Sequence, residues 1–236
     1  RSPTVTGVQT CALPILEKSA LERIGTMGRD PGRLLVGCVH AFFDCFPEEV
    51  HRLRNALPRS AFRLVLRHSS EVIDRVLSGA FDVGYTHHPC NRKGYVCDLL
   101  YRDAMLLVTR GANPRRREGV RLRDLPGLPI LYSSFLDTHT VRQLFGRLPS
   151  FELDIDIGSK IIPYVLKEDK YSFLPRRLIG GHLDSGALAA VPLLDFELPP
   201  LEYFVLYSLT HPHAEAIRAG RHFSASRLNF RIKEGQ

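Results

Sequence analysis

Hydroxyl and imidazole side chains recur in this chain where an apolar run gives way to the start of a helix. His40, Ala41 and Phe42 follow the apolar run 33–39, and His68, Ser69 and Ser70 follow the alternating run 62–67. Thr86 and His87 close the short run 82–86. Further on, Ser133 and Ser134 follow the run 129–132, Thr138 precedes a helical stripe, and Ser159 opens another. A helix start carries unpaired N–H groups and the positive end of the helix dipole, so such positions suit a small polar molecule or a carboxylate. Ser and Thr are also favoured N-caps, worth about 1 kcal/mol each to a helix. Capping alone therefore accounts for any one of them. The set points to a ligand only if the two halves of the chain face each other.

Other chemistries are weaker. His87, His88, Cys90 and Cys97 are good metal-ligand types, but they follow no recurring ligand spacing. Ser133 or Ser134 with Asp137 and His139 could suggest hydrolysis, yet there is no G-x-S-x-G turn, and triads are defined by geometry. Neither phosphate-binding glycine loop is present. The residues thus imply no enzyme, no cofactor and no metal. Five cysteines, at 11, 38, 45, 90 and 97, form no disulfide framework and read as reduced thiols of a cytoplasmic protein. No apolar run approaches the roughly 18 residues of a membrane helix. The net charge of +7 hints at work near a polyanion, but the densest run, Arg115 to Arg117, sits between Pro114 and Gly119 and reads as a solvated loop.

The elements that must position these groups repeat. Residues 33–39 read as a strand covered on both faces. Phe46, Val50, Leu53 and Leu57 fall at helical spacing over 46–57. Phe62, Leu64 and Leu66 alternate with charged residues, Val72, Ile73, Val76 and Leu77 form a helical stripe, and 82–86 is a third strand. The order β-α-β-α-β implies a parallel sheet with right-handed crossovers. It returns as a strand at 129–132, a helix marked by Val141, Leu144, Phe145 and Leu148, and an alternating strand at 151–157. A helix over 159–168 and a strand at 171–174 complete the second unit. The expected fold is α/β: two Rossmann-like lobes joined by crossing strands at 104–109 and 203–208. Lobe 1 comprises 33–103 and 209–228, and lobe 2 comprises 104–208. A last helix runs from about His213 to Phe223. In an open parallel sheet the strand tips face one crevice, which places the groups above around a shared cleft.

Residues 1–15 have no periodicity, and 5–15 back-translate to the end of a common short-read sequencing adapter. They are expected to be an artefact of assembly. Leu16, Ala20, Leu21 and Ile24 then share a helical face over 16–26, and residues 29–32 read as a turn.

Several stretches in order resemble LysR-type transcriptional regulators. These are GRLLVGC at 32–38, SEVIDRVLSGAFDVGY at 70–85, LLYRDAMLLVT at 99–109, LRDLPGLPIL at 122–131 and YSFLP at 171–175. The resemblance covers about 16–228 and implies the periplasmic-binding-protein type II-like effector domain of a bacterial regulator. It implies that 16–26 ends a linker helix and that DNA is read by an absent N-terminal helix-turn-helix. By family pattern Ser70 is the cap hydroxyl that contacts an effector, with Ser69, Thr86 and Ser133 around it. It also implies a homodimer or tetramer through helices 46–57 and 213–223, with Val50 and Ile217 as candidate contacts. The sequence departs from the family where a Gly-x-Gly is usual and Lys167-Glu168-Asp169-Lys170 stands instead. A stand-alone solute-binding protein of the same architecture is the alternative; a helix-turn-helix or a secretion signal at the start of the intact gene separates the two.

Overall fold

The computed structural model describes residues 32–155 and 157–219. The expected linker helix at 16–26 and the last helix beyond 219 lie outside the described residues. Strand β1 (Arg33–Cys38) pairs in parallel with β2 (Ala61–Leu66) and β3 (Val83–Thr86). Helices α1 (His40–Cys45) and α2 (Pro47–Ala56) fill the first crossover, and α3 (Ser69–Leu77) fills the second. Pro47 stands in the first turn of α2, where its missing N–H costs nothing. The stripe of α3 buries Val72 and Val76. Strand β4 (Tyr95–Asp103) then leads to Ala104, where the chain crosses to the second lobe.

That lobe begins with β5 (Met105–Arg110) and continues through two 3-10 turns to the short β6 (Tyr132–Ser133). Helix α4 (Thr138–Phe145), β7 (Asp154–Ile155) and α5 (Ile162–Lys167) follow. Then come β8 (Tyr171–Pro175), α6 (Arg176–Asp184) and β9 (Leu188–Val191). The chain returns as β10 (Leu201–Ser208) and ends, among the described residues, in α7 (Ala214–Ala219). The first sheet has the order β2-β1-β3-β10-β4, with β10 antiparallel to both neighbours. The second repeats it. β7 and β6 are parallel, Ile130 bridges in parallel to Tyr171 of β8, and β5 lies antiparallel between β8 and β9.

Four expectations are corrected. β10 belongs to the first lobe, not the second, so the return crossing lies before Leu201. The alternating run 151–157 pairs with β6 over Asp154 and Ile155 only, as an edge strand. The expected helix 159–168 opens as a 3-10 turn over Gly158–Ile161 and becomes α-helical at Ile162, where Pro163 tolerates only the first turn. Ile217 is buried and Val50 half-buried because α2 and α7 pack on each other within the chain, so neither residue faces outward.

The Lys167–Lys170 stretch turns without glycine. Glu168 has ordinary extended angles (φ −123°, ψ 160°), and no described non-glycine residue has a positive φ. Ion pairs hold the loop instead: Asp169 with Arg110 at 2.5 Å, and Lys170 with Glu152 at 2.5 Å. At the crossing, the Arg177 N–H donates to the Asp103 carboxylate at 3.0 Å and that of Arg176 to the Ala104 carbonyl at 2.8 Å. The Arg177 Nε donates to the Cys45 carbonyl at 2.7 Å, and its guanidinium lies 4.5 Å from the Phe46 ring centre. The second lobe is thus pinned to the α1–α2 corner of the first. No helix among the described residues is long and apolar enough to cross a membrane.

Candidate ligand site between the lobes

A cleft of about 590 Å³ opens between the lobes. Its first wall is made by two helix starts. Val39 precedes α1 and His68 precedes α3, and neither start has a side-chain cap. Val39, His40 and Ala41 line the cleft at one start, and His68, Ser69 and Ser70 at the other. Backbone N–H groups in a first turn have no partner within their own helix, so this wall presents donors and positive dipole ends. Arg67 adds a cation, although Glu71 already accepts from its Nε at 3.0 Å.

The facing wall differs. Asp137 caps α4, its carboxylate accepting from the Thr140 N–H at 2.7 Å, and both residues line the cleft with Ser134, Phe135, Leu136 and Gly158. The Phe135 ring lies against Gly158 so closely that a Cβ there would stand 2.2 Å from it. Only a residue without a side chain admits this contact. At the hinge side, Met105, Pro199, Pro200, Leu201 and Glu202 close the floor. The site is therefore polarised: two helix starts without side-chain caps on the first lobe, a carboxylate and a hydroxyl on the second.

His87 lies between these walls and is partly buried, its ring edge-on to Tyr203 with centroids 4.7 Å apart. Its Nδ1 stands 3.2 Å from the Glu202 carbonyl, which can only accept, so Nδ1 carries the proton and Nε2 is left as an acceptor. Burial first, with a smaller push from His88, lowers its pKa to about 4 against the opposing hydrogen bond. The imidazole is neutral at pH 7. Its backbone N–H donates to the Ser69 Oγ at 3.0 Å, which locks the strand tip onto α3.

Of the residues expected from sequence, His40, Ala41, Ser69, Ser70, His87 and Ser134 are brought together on the cleft. The others are not. Phe42 is fully buried, stacked on Tyr85 at 4.0 Å. Thr86 is buried and donates to the His88 carbonyl at 2.8 Å, and buried Ser133 donates to that of Phe173 at 3.0 Å. Thr138 is the exposed first residue of α4 rather than its cap, and Ser159 sits in the 3-10 turn beyond Gly158. Ser70 is the second residue of α3, so it is not the cap either. No three metal-ligand side chains group together among the described residues. His68, which the sequence placed beside Ser69 and Ser70, also lines the cleft, whereas Arg67, His88, Thr140 and Gly158 were not anticipated as lining residues. Arg67 and His88 adjoin anticipated positions and Thr140 lies two residues from Thr138; nothing in the sequence distinguished Gly158.

Residues 28–229 match the family described as the LysR substrate binding domain. Over 154 residues the chain is 28% identical to the uncharacterized HTH-type transcriptional regulator YeiE of Escherichia coli K12, covering 62% of this chain and 53% of that protein. It thus spans about half the length of the curated relatives it matches. Among solved structures, full-length CbnR complexed with its target DNA superposes with a TM-score of 0.69 at 13% identity, over 94% of this chain and 85% of that one. The reduced OxyR regulatory domain of Pseudomonas aeruginosa gives 0.60 at 13% identity, over 80% and 94%. The BenM effector-binding domain with its effector benzoate gives 0.58 at 18%, over 79% and 90%.

Proposed function

This chain belongs to the LysR substrate-binding-domain family, and we propose that it is the effector-sensing domain of a bacterial transcription regulator, taking a small polar carboxylate between its lobes. The observation that carries this reading is the polarised cleft. Two helix starts without side-chain caps suit the carboxylate, while Asp137 and the His87 Nε2 accept hydrogen bonds from hydroxyl groups elsewhere on the ligand. The domain holds its ligand rather than transforming it. Ser69 accepts from the His87 N–H and Ser133 donates to the Phe173 carbonyl, so both hydroxyls tie the fold together.

Ligand binding favours one arrangement of the lobes about Ala104 and the segment before Leu201, and the arrangement is relayed through paired chains. DNA reading belongs to a helix-turn-helix module of the kind named in the relative YeiE, with dimer symmetry setting the half-site spacing. Pairing as a homodimer or tetramer uses the outer faces of α2 and the last helix, where His51, Arg54, Glu215 and Arg218 are exposed.

A thermal-shift screen against small hydroxy and aromatic carboxylates, benzoate included, tests the reading. A true ligand raises the melting temperature with the logarithm of its concentration above Kd. Ser70→Ala should then weaken that ligand by about 5- to 30-fold, the loss of about 1–2 kcal/mol of hydrogen bonding. The unliganded melting temperature should stay nearly constant, since Ser70 caps nothing. A panel that shifts nothing, or a Ser70→Ala protein that binds as tightly as the parent, removes the proposal.

A further inference from the structure

The sequence singled out Cys90 and Cys97 as metal-ligand types, and the cleft makes no use of them. The chain leaves β3 at Thr86 on the cleft side and enters β4 at Tyr95, beside Ser208 at the far end of β10. The connecting loop therefore runs back along the sheet. It turns at Gly94 (φ +88°), where the Tyr95 N–H donates to the Arg92 carbonyl at 3.1 Å. This return brings Cys90 against Cys97: the Cys90 N–H donates to the Cys97 Sγ at 3.1 Å. Both thiols are free, partly exposed, and packed beside Val76, Phe81 and Leu206. A sulfur that accepts from the partner's backbone N–H makes the two cysteines immediate neighbours, the first requirement of a disulfide.

We propose that Cys90 and Cys97 form an oxidation site at which a peroxide converts the two thiols into an intramolecular disulfide. Cys90 attacks the peroxide, the O–O bond breaks, and Cys90 becomes a sulfenic acid while the peroxide leaves as water or an alcohol. The Cys97 sulfur then displaces the sulfenic oxygen, the S–S bond forms and one water is released. Both thiols lose their hydrogen, and the peroxide takes up the two electrons. Burial raises the Cys97 pKa and so lowers its thiolate fraction, which leaves the first attack to Cys90. The other described cysteines, Cys38 and Cys45, are buried with thiols pushed up to about 12, so the exchange is confined to this pair. His87, His88 and Pro89 of the cleft wall lead directly into the tied loop, which connects the oxidation state of the pair to the cleft. The chemistry itself does not depend on the ligand reading.

Trypsin cleaves after Arg92 and Lys93, between the two cysteines, so the disulfide joins two separate peptides, 76–92 and 94–102. Wild-type protein treated with a small excess of hydrogen peroxide, then alkylated and digested without reductant, should yield these peptides linked and two hydrogens lighter than their sum. Dithiothreitol should release them. In Cys97→Ser the linked species should vanish and Cys90 should carry the label of a sulfenic-acid probe. Recovery of both wild-type peptides unlinked, or linkage of either to Cys38 or Cys45 instead, overturns the proposal.

Discussion

Phe42→Ala should cost this domain about 3–5 kcal/mol of folding stability, the range for truncating a fully buried phenylalanine. Its ring is not accessible to solvent. It stacks on Tyr85 with centroids 4.0 Å apart and planes 12° apart, and it meets Phe46 at 5.3 Å and Tyr203 at 6.2 Å. Each contact joins a different element: α1 to β3, to the α1–α2 corner, and to β10. Alanine removes all three and leaves a cavity that rigid strands on two sides cannot close. Urea unfolding followed by circular dichroism measures the loss as a lower midpoint with an unchanged slope. A loss below 1 kcal/mol would show that the ring is not part of the core. A cleft residue behaves otherwise, as expected of Ser70→Ala, where affinity falls and stability holds.

Phe42 also marks the limit of what the sequence made legible. Reading from strand tip to helix start placed His40, Ala41, Ser69, Ser70 and His87 on the cleft. That rule depends only on chain direction in a parallel sheet. It cannot say which residue of a first turn points outward. α1 spans only His40–Cys45, too short for its apolar pattern to show a face, so Phe42 went to the cleft when its side chain goes to the core. Long elements with full periodicity, such as α2, α3 and β2, were legible to within a few residues. α6 escaped because Gly180 and Gly181 interrupt a weak stripe, and β9 because four residues give too little alternation. β10 was legible as a strand and misplaced as to lobe. Its apolar run, Tyr203 to Tyr207, reports burial on both faces and nothing about which sheet supplies the neighbours. Pairing with β3 and β4 is a long-range choice made by the fold.

Lowering the pH from 7 to 4 should remove about 3 kcal/mol of stability through His87 alone. Burial holds the folded-state pKa near 4, against an ordinary value of 6.5. The unfolded chain therefore takes up a proton as the pH falls through 6.5, while the native state refuses it until about 4. Stability from this group is complete above pH 6.5, declines across the window, and is lost once the native imidazole is also charged. The native state refuses the proton because charging the ring would place a cation in a buried setting against Tyr203, and the hydrogen bond to the Glu202 carbonyl offsets that cost only in part. His87→Gln keeps an N–H for that carbonyl and has no proton to gain. Urea midpoints at pH 7, 6, 5 and 4 should therefore fall more steeply in the parent than in the variant, and the gap should widen mainly between 6.5 and 4. Parallel curves would mean that the ring titrates freely and is solvated in the folded state. A neutral His87 offers the cleft a lone pair through Nε2 rather than a charge, so the proposed carboxylate ligand would be drawn by Arg67 and the starts of α1 and α3 instead.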